Sequence, residues 1–194
     1  QQITRAMKMV AAARLRRSDV AIRNLRPYSS RLDHLCARFL QGALGNESPF
    51  FERREINAIA VLSVSSDRGL CGAYNNRIVA RTRDVLRQVP SHRSHLLAVG
   101  TRGITGLRRL GFEVEGEYEG VFNPVHYVTA QQICRRLCDL FLSGEADVVK
   151  VVFTEFFSPV RQEVLVRRLL PCPPELQHEE MKQQHERRLP EGMY

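Results

Sequence analysis

From Gln1 to about Gln41 the chain carries almost no turn signal and is rich in Ala, Arg, Leu and Met, all strong helix formers. The stretch predicts one long helix. At 1.5 Å per residue it would reach roughly 60 Å, more than a domain of this size can cover. Part of it must therefore project and find another helix or another chain. At about 100° per residue, Ile3, Met7, Val10, Ile22, Leu25, Leu32 and Phe39 gather on one side. Leu25, Tyr28, Leu32, Leu35 and Phe39 alternate three and four apart, the spacing of a coiled-coil seam. Pro27 lacks a backbone donor and predicts a bend.

Beside the seam, Arg5, Lys8, Arg16, Arg23 and Arg26 fall within about 80° of one another on the same step, a continuous positive stripe. Arg14 lies among the apolar residues, where a charge calls for a polar partner or a surface outside the chain's own domain. The whole sequence holds 29 Lys and Arg against 21 Asp and Glu, a net charge of +8. That balance suits an acidic protein surface, nucleic acid or an anionic membrane. No apolar run approaches the roughly 20 residues of a spanning helix. Five cysteines, scattered and odd in number, read as reduced thiols rather than a disulfide framework.

Residues 42–55, opening with "GALGNESP", read as a linker. From Ile56 short apolar runs alternate with helical patterns, the signature of a mainly parallel α/β sheet over 56–171. Strands are predicted at Ile56 to Val64, Leu96 to Gly100, Phe112 to Glu117, Val148 to Phe157 and Glu163 to Leu170. Helices are predicted at Ala73 to Gln88, Arg102 to Leu110 and Thr129 to Ser143. Only "SPVRQ" separates the last two strands, so they should form an antiparallel hairpin. Residues 172–194 are Pro-rich at the start and lack an apolar face, which predicts an extended or disordered tail.

Two glycine motifs suggest chemistry. In "SSDRGLCGAYNNR" (Ser65 to Arg77), Gly69 and Gly72 enclose only Leu70 and Cys71 with no following Lys, so the turn is not a Walker phosphate loop. A catalytic Cys71 would want a base, and no His is near in sequence; a tight strand-to-helix turn with Cys71 as a small packed residue is the plainer reading. In "VGTRGITGLRRLG", Gly100, Gly103 and Gly106 approximate a dinucleotide fingerprint whose first gap is one residue too long. They read first as easing entry into a helix. Cys134 and Cys138 lie one turn apart and read as small apolar residues against the sheet rather than metal ligands. His92, His95, His178 and His185 read as surface residues.

"ITRAMKMVAAARLRR" (Ile3 to Arg17) and "SSDRGLCGAYNN" (Ser65 to Asn76) closely resemble the first helix and first strand-to-helix turn of the gamma subunit of F-type ATP synthases. "DVVKVVFTEFFSPVRQEVLVRRLLP" resembles the hairpin that follows in that family, and the likeness covers most of Ile3 to Pro171. It implies a non-catalytic rotor: a long coiled-coil-type helix followed by a Rossmann-like, mainly parallel sheet domain ending in an antiparallel hairpin. In the family the first helix pairs with a C-terminal helix and stands inside a ring of alpha and beta subunits, with the epsilon-type subunit and the membrane ring of c subunits at its foot. It couples proton flow to ATP synthesis and works as a peripheral protein of an energy-transducing membrane, bacterial, thylakoid or mitochondrial.

The resemblance further implies that Arg5, Met7, Lys8 and Arg16 face an acidic beta-subunit loop. Ile3, Met7, Val10, Leu25, Leu32 and Phe39 would form the seam, and Asp67, Arg68, Gly69, Leu70, Cys71 and Gly72 a contact near the base of the shaft. No cofactor, metal, catalytic residue, nucleic acid or small-molecule ligand is expected. The family's second shaft helix has no counterpart before Tyr194, so the reading is of a fragment or truncated copy whose isolated first helix frays or self-associates. The rival classes are a nucleic-acid-binding α/β protein, which would want aromatics among the basic residues, and a dinucleotide-binding one using Gly100 to Gly106.

Overall fold

The computed structural model describes residues 2–41, 48–122, 125–158 and 161–172. The chain divides into two compact units, Gln1–Glu47 and Ser48–Tyr194. The predicted tail beyond Cys172 and the side chains of Ile3, Met7 and Phe39 lie outside the described residues.

The first unit holds helix α1, Gln2–Gln41, which runs on through Pro27 without ending there. Among its described side chains only Asp19 and Ser30 are half-buried and the others are exposed. Leu25 is 63% exposed. Arg14, the charge on the apolar side, is exposed as well. One ion pair, Arg23 to Asp19 at 2.9 Å, spans a single turn.

The second unit is a three-layer α/β/α sandwich. Its sheet runs in the order β3-β2-β1-β4-β5, with β1 at Ile59–Val64, β2 at Ser94–Val99, β3 at Gly116–Tyr118, β4 at Val148–Phe156 and β5 at Gln162–Leu170. The pairs β1·β2, β1·β4 and β2·β3 are parallel, and β4·β5 is the antiparallel hairpin. Alternation along β1 sends Ile59 and Val61 to one face and Ala60 to the other. Helices α2 (Tyr74–Leu86) and α3 (Thr101–Arg109) bury Ile78, Val85, Leu86, Ile104 and Leu107 against the first face. Helix α4 (Tyr127–Leu142) buries Ile133, Leu137, Leu140 and Phe141 against the second. Ser63 and Thr82 are buried together on the α2 side, their hydroxyls 2.9 Å apart.

The other strands shift by one or two residues at their ends, and two depart further from expectation. The sequence places the start of β1 at Ile56, but that side chain is exposed and the strand begins at Ile59. The reason lies in Asp147, whose Oδ2 accepts the N–H groups of Asn57 and Ala58, each at 2.8 Å; a carboxylate, not a neighbouring strand, satisfies these two donors. The strand predicted at Phe112 to Glu117 contracts to Gly116–Tyr118. Phe112 and Val114 instead pack from a loop onto the core under α2 and α3. Segment 48–54 is tied to the sheet domain: the N–H of Cys172 donates to Phe50 O at 2.8 Å. Arg54 donates to Phe141 O at 3.0 Å and lies 5.0 Å above the Phe141 ring.

Candidate functional site

In open parallel sheets ligands bind beyond the strand ends where the strand order reverses. Here that point lies between β1 and β4, because α2 and α3 cover one face and α4 the other. The turn Ser65 to Ala73 leaves β1 at this position. It is built by its own side chains. Asn75 Oδ1 accepts from Ser66 N at 3.1 Å and stands 3.0 Å from Ser66 Oγ, while Nδ2 donates to Arg68 O at 3.3 Å and to Cys71 Sγ at 3.1 Å. Asp67 Oδ1 accepts from Thr101 N, Thr101 Oγ1 and Gly120 N, at 3.1, 3.3 and 3.2 Å. One carboxylate thereby joins the turn, the start of α3 and the loop after β3, and it sits at a helix N-terminus where a negative charge is favoured.

The tip of this stapled turn points outward. Leu70 has φ +60° and is 96% exposed. A left-handed Leu costs roughly 1–2 kcal/mol against an ordinary backbone. Cys71 is exposed, which corrects the expectation of a packed thiol: Asn75 holds it at the surface instead of the core. Gly72 has φ +59° with open space around it, so conformation and not crowding accounts for that glycine. Behind the turn is a cavity of about 150 Å³ lined by Cys71, Ala73, Tyr74, Arg77, Thr154, Gln162 and Val164. Ligand pockets usually run to about 300–1,000 Å³, so a nucleotide would not fit. Burial raises the Tyr74 phenol above its ordinary value.

The second glycine motif has a packing explanation. Gly100 has φ +94°, and a Cβ there would stand 2.7 Å from Ser65 O; one on Gly103 would stand 2.3 Å from Ser65 Oγ. Ser65 Oγ donates toward Val99 O at 2.9 Å and accepts from Gly103 N at 2.9 Å. A Cβ on Gly106 would meet Val79 Cγ2 at 2.8 Å. The glycines let α3 close on β1 and α2. This is the reading as a glycine-eased helix entry, with Ser65 as its unforeseen cause.

Other candidates separate. Arg5, Lys8 and Arg16 are exposed on α1, and so are Val10, Leu25 and Leu32 of the seam. Cys138 packs on the α4 core, and burial pushes its thiol up, but Cys134 is exposed. Expecting both against the sheet was wrong for Cys134, which the helical turn carries past the edge of the buried stripe. His95 is not an ordinary surface residue; it stands half-buried in β2 with Nδ1 2.8 Å from Glu115 Oε1. Asn75 and Asp67 organise the turn, and Asn75 was not singled out in the sequence. Its signal was an Asn at a helix start following a glycine turn. Among the described residues no group of three or more His, Cys, Asp or Glu could hold a metal, and no helix is long and apolar enough to cross a membrane.

Fold and site together define an α/β protein with a long N-terminal helix whose described apolar and basic side chains are exposed, and with a self-stapled turn at the switch point of its sheet. A family model described as ATP synthase matches residues 1–191. The ATP synthase gamma chain of Desulforamulus reducens is 35% identical over 171 residues, 88% of this chain and 60% of that relative. That of Pelotomaculum thermopropionicum is 34% identical over 183 residues, 94% of this chain and 64% of the relative. The chain belongs to the ATP synthase gamma-chain family. It spans about three fifths of the length of the curated relatives it matches. A chain in the cryo-EM structure of the central stalk and c-ring of the Tetrahymena thermophila mitochondrial ATP synthase shares the fold, with a TM-score of 0.60, 24% identity and coverage of 99% of this chain and 80% of that one.

Proposed function

We propose that the chain serves as the central-stalk subunit of a proton-translocating F-type ATP synthase, a non-catalytic rotor that couples proton flow to ATP synthesis in the alpha and beta head. Family membership supports the assignment. The observation that carries the mechanical part is the exposure of the seam on α1: Val10, Leu25, Tyr28, Leu32 and Leu35 are all exposed large apolar residues. Such a row is stable in water only when a second helix covers it, so the seam takes a partner helix in a coiled coil. On its flank Arg5, Lys8 and Arg16 meet acidic residues of the beta subunits. Charge contacts of this kind hold orientation without deep interlocking, which a surface moving past successive equivalent partners requires.

At the other end of the proposal stands the turn. Asp67, Arg68, Gly69, Leu70, Cys71 and Gly72 present a contact near the base of the shaft, and a strained, outward-pointing Leu70 is a side chain held ready for a partner. The epsilon-type subunit and the c ring lie at the foot, which makes the protein peripheral to an energy-transducing membrane. The test is reconstitution of the chain with purified alpha, beta and epsilon-type subunits. A stable complex forms, Arg5→Glu/Lys8→Glu/Arg16→Glu weakens it at least about tenfold, and Leu70→Asn weakens it while leaving the chain folded. Absence of any complex, or a complex indifferent to all these changes, sinks the reading.

A further inference from the structure

A trough runs between α2 and the β4–β5 ribbon. On the ribbon, the register Lys150↔Arg168, Val152↔Val166, Thr154↔Val164 and Phe156↔Gln162 puts these side chains on the face that α2 partly covers. On α2, Tyr74, Arg77, Arg81 and Gln88 fall along the flank toward this face, as the 2.9 Å bond from Lys150 Nζ to Gln88 Oε1 fixes. The floor is half-buried Val164 and Val166, packed at the margin of the core. The walls are four cations from three elements: Arg77 and Arg81 on α2, Lys150 on β4 and Arg168 on β5.

Among the described residues no acid pairs with them. Asp84, the carboxylate on the same α2 flank, is held by Arg83 at 2.8 Å. Glu155 and Glu163 alternate to the opposite face of the ribbon. The crowding is felt at the least exposed cation, since burial first and then Arg168 and Arg81 hold the Lys150 amine below its ordinary value. At the far end the trough opens into the cavity lined by Tyr74, Arg77, Thr154 and Gln162. There Thr154 Oγ1 is buried with no partner at hydrogen-bond distance and angle, although the Tyr74 hydroxyl is its neighbour.

We propose that this trough is a docking surface for a short acidic peptide segment of a partner protein, whose carboxylates engage Arg77, Arg81, Lys150 and Arg168 while its apolar atoms lie on Val164 and Val166. Charge complementarity selects the occupant. Four cations on one helix and two paired strands, with no ion-pair partner among the described residues, form fork-shaped and point-charge donors for carboxylates. The floor adds apolar area that a free ion would leave uncovered.

Hexaglutamate titrated into the full chain, read by methyl NMR, tests this. The Val164 and Val166 methyls shift and saturate, and Arg81→Glu/Arg168→Glu weakens that response at least about tenfold, while Arg108→Glu/Arg109→Glu on α3 does not. Methyls of Val10 and Val20 on α1 report any binding to the helix separately. Shifts confined to α1, or equal losses in both double variants, would overturn the proposal as a general charge effect. Inorganic phosphate that reproduces the full shift at similar concentration would overturn it in favour of a small-oxyanion site. An anionic phospholipid vesicle that protects these methyls where hexaglutamate does not would overturn it in favour of a membrane surface.

Discussion

Helix α1 and strand β1 both carry regular apolar patterns, yet Ile59, Ala60 and Val61 are wholly buried while the described apolar residues of α1 stand in water. Periodicity tells which face of an element is apolar. It does not tell whether the covering surface belongs to the same chain. In the sheet domain the cover is internal, with α2 and α3 on one face and α4 on the other, so its stability is its own. For α1 stability must come from helix propensity and from partners, and a lone helix gains little of either.

The largest expected consequence is in hydrogen exchange. Amides of β1 and β4 should exchange at least about a thousandfold more slowly than those of mid-α1 in the chain alone, because the sheet opens only by global unfolding while solvated helical bonds open locally. Equal protection in a monomer would break the comparison. The next effect is on the domain itself. Phe141→Ala removes a fully buried ring and the seat of Arg54, and should lower stability by about 3–5 kcal/mol. Leu25→Ala on α1 should change the unfolding free energy of the sheet domain, read by denaturant titration, by less than about 0.5 kcal/mol. A large effect of the second substitution would show that the helix is already covered.

Smaller effects probe how the turn is supported. Gly103→Ala drives a methyl to within 2.3 Å of Ser65 Oγ and should cost about 1–3 kcal/mol. Ser63→Ala strands the Thr82 hydroxyl in the core and should cost about 1–3 kcal/mol, much of it recovered in Ser63→Ala/Thr82→Val. Urea midpoints read both. If Gly103→Ala were neutral, the packing account of the glycine motif would fail and close approach of a ligand would again explain it.

The alternation of strands and helices was legible because the period changes from 3.6 to 2 at the end of the first unit and back again within the second. Strand starts were less so: Asp147 bonds Asn57 and Ala58 across some ninety positions of sequence, and no local pattern announces such a partner. The glycines after β2 were ambiguous for a physical reason. A backbone that must approach a phosphate and one that must approach Ser65 both exclude a Cβ, so the residue type is the same. Exposure of Cys71 and Cys134 was hidden for the opposite reason, since a free thiol is usually buried as a small apolar residue and nothing local marks the exceptions. The trough beside α2 went unseen because its cations come from positions 77, 81, 150 and 168 and meet only when β5 folds back on β4.

Lys150 gives the finest test of that convergence. Below its depressed folded-state pKa the amine is charged both folded and unfolded, and the full cost of burying it among Arg168 and Arg81 is present. Between that value and the unfolded value of about 10.4, the folded chain has released the proton and the unfolded chain still binds it. The unfolded state then holds more protons, so this group makes stability rise with pH across the window. Tyr74 acts in the opposite sense, because its raised pKa contributes stability that is lost as pH climbs past about 10. The Cys138 thiol, also raised by burial, acts in the same sense as Tyr74, so unfolding measured in a Tyr74→Phe/Cys138→Ala background isolates the lysine. Lys150→Gln should abolish the alkaline rise, whereas Lys8→Gln on α1 controls for removing one charge elsewhere. A rise unchanged by Lys150→Gln would mean that Lys150 does not carry the burial and crowding assigned to it.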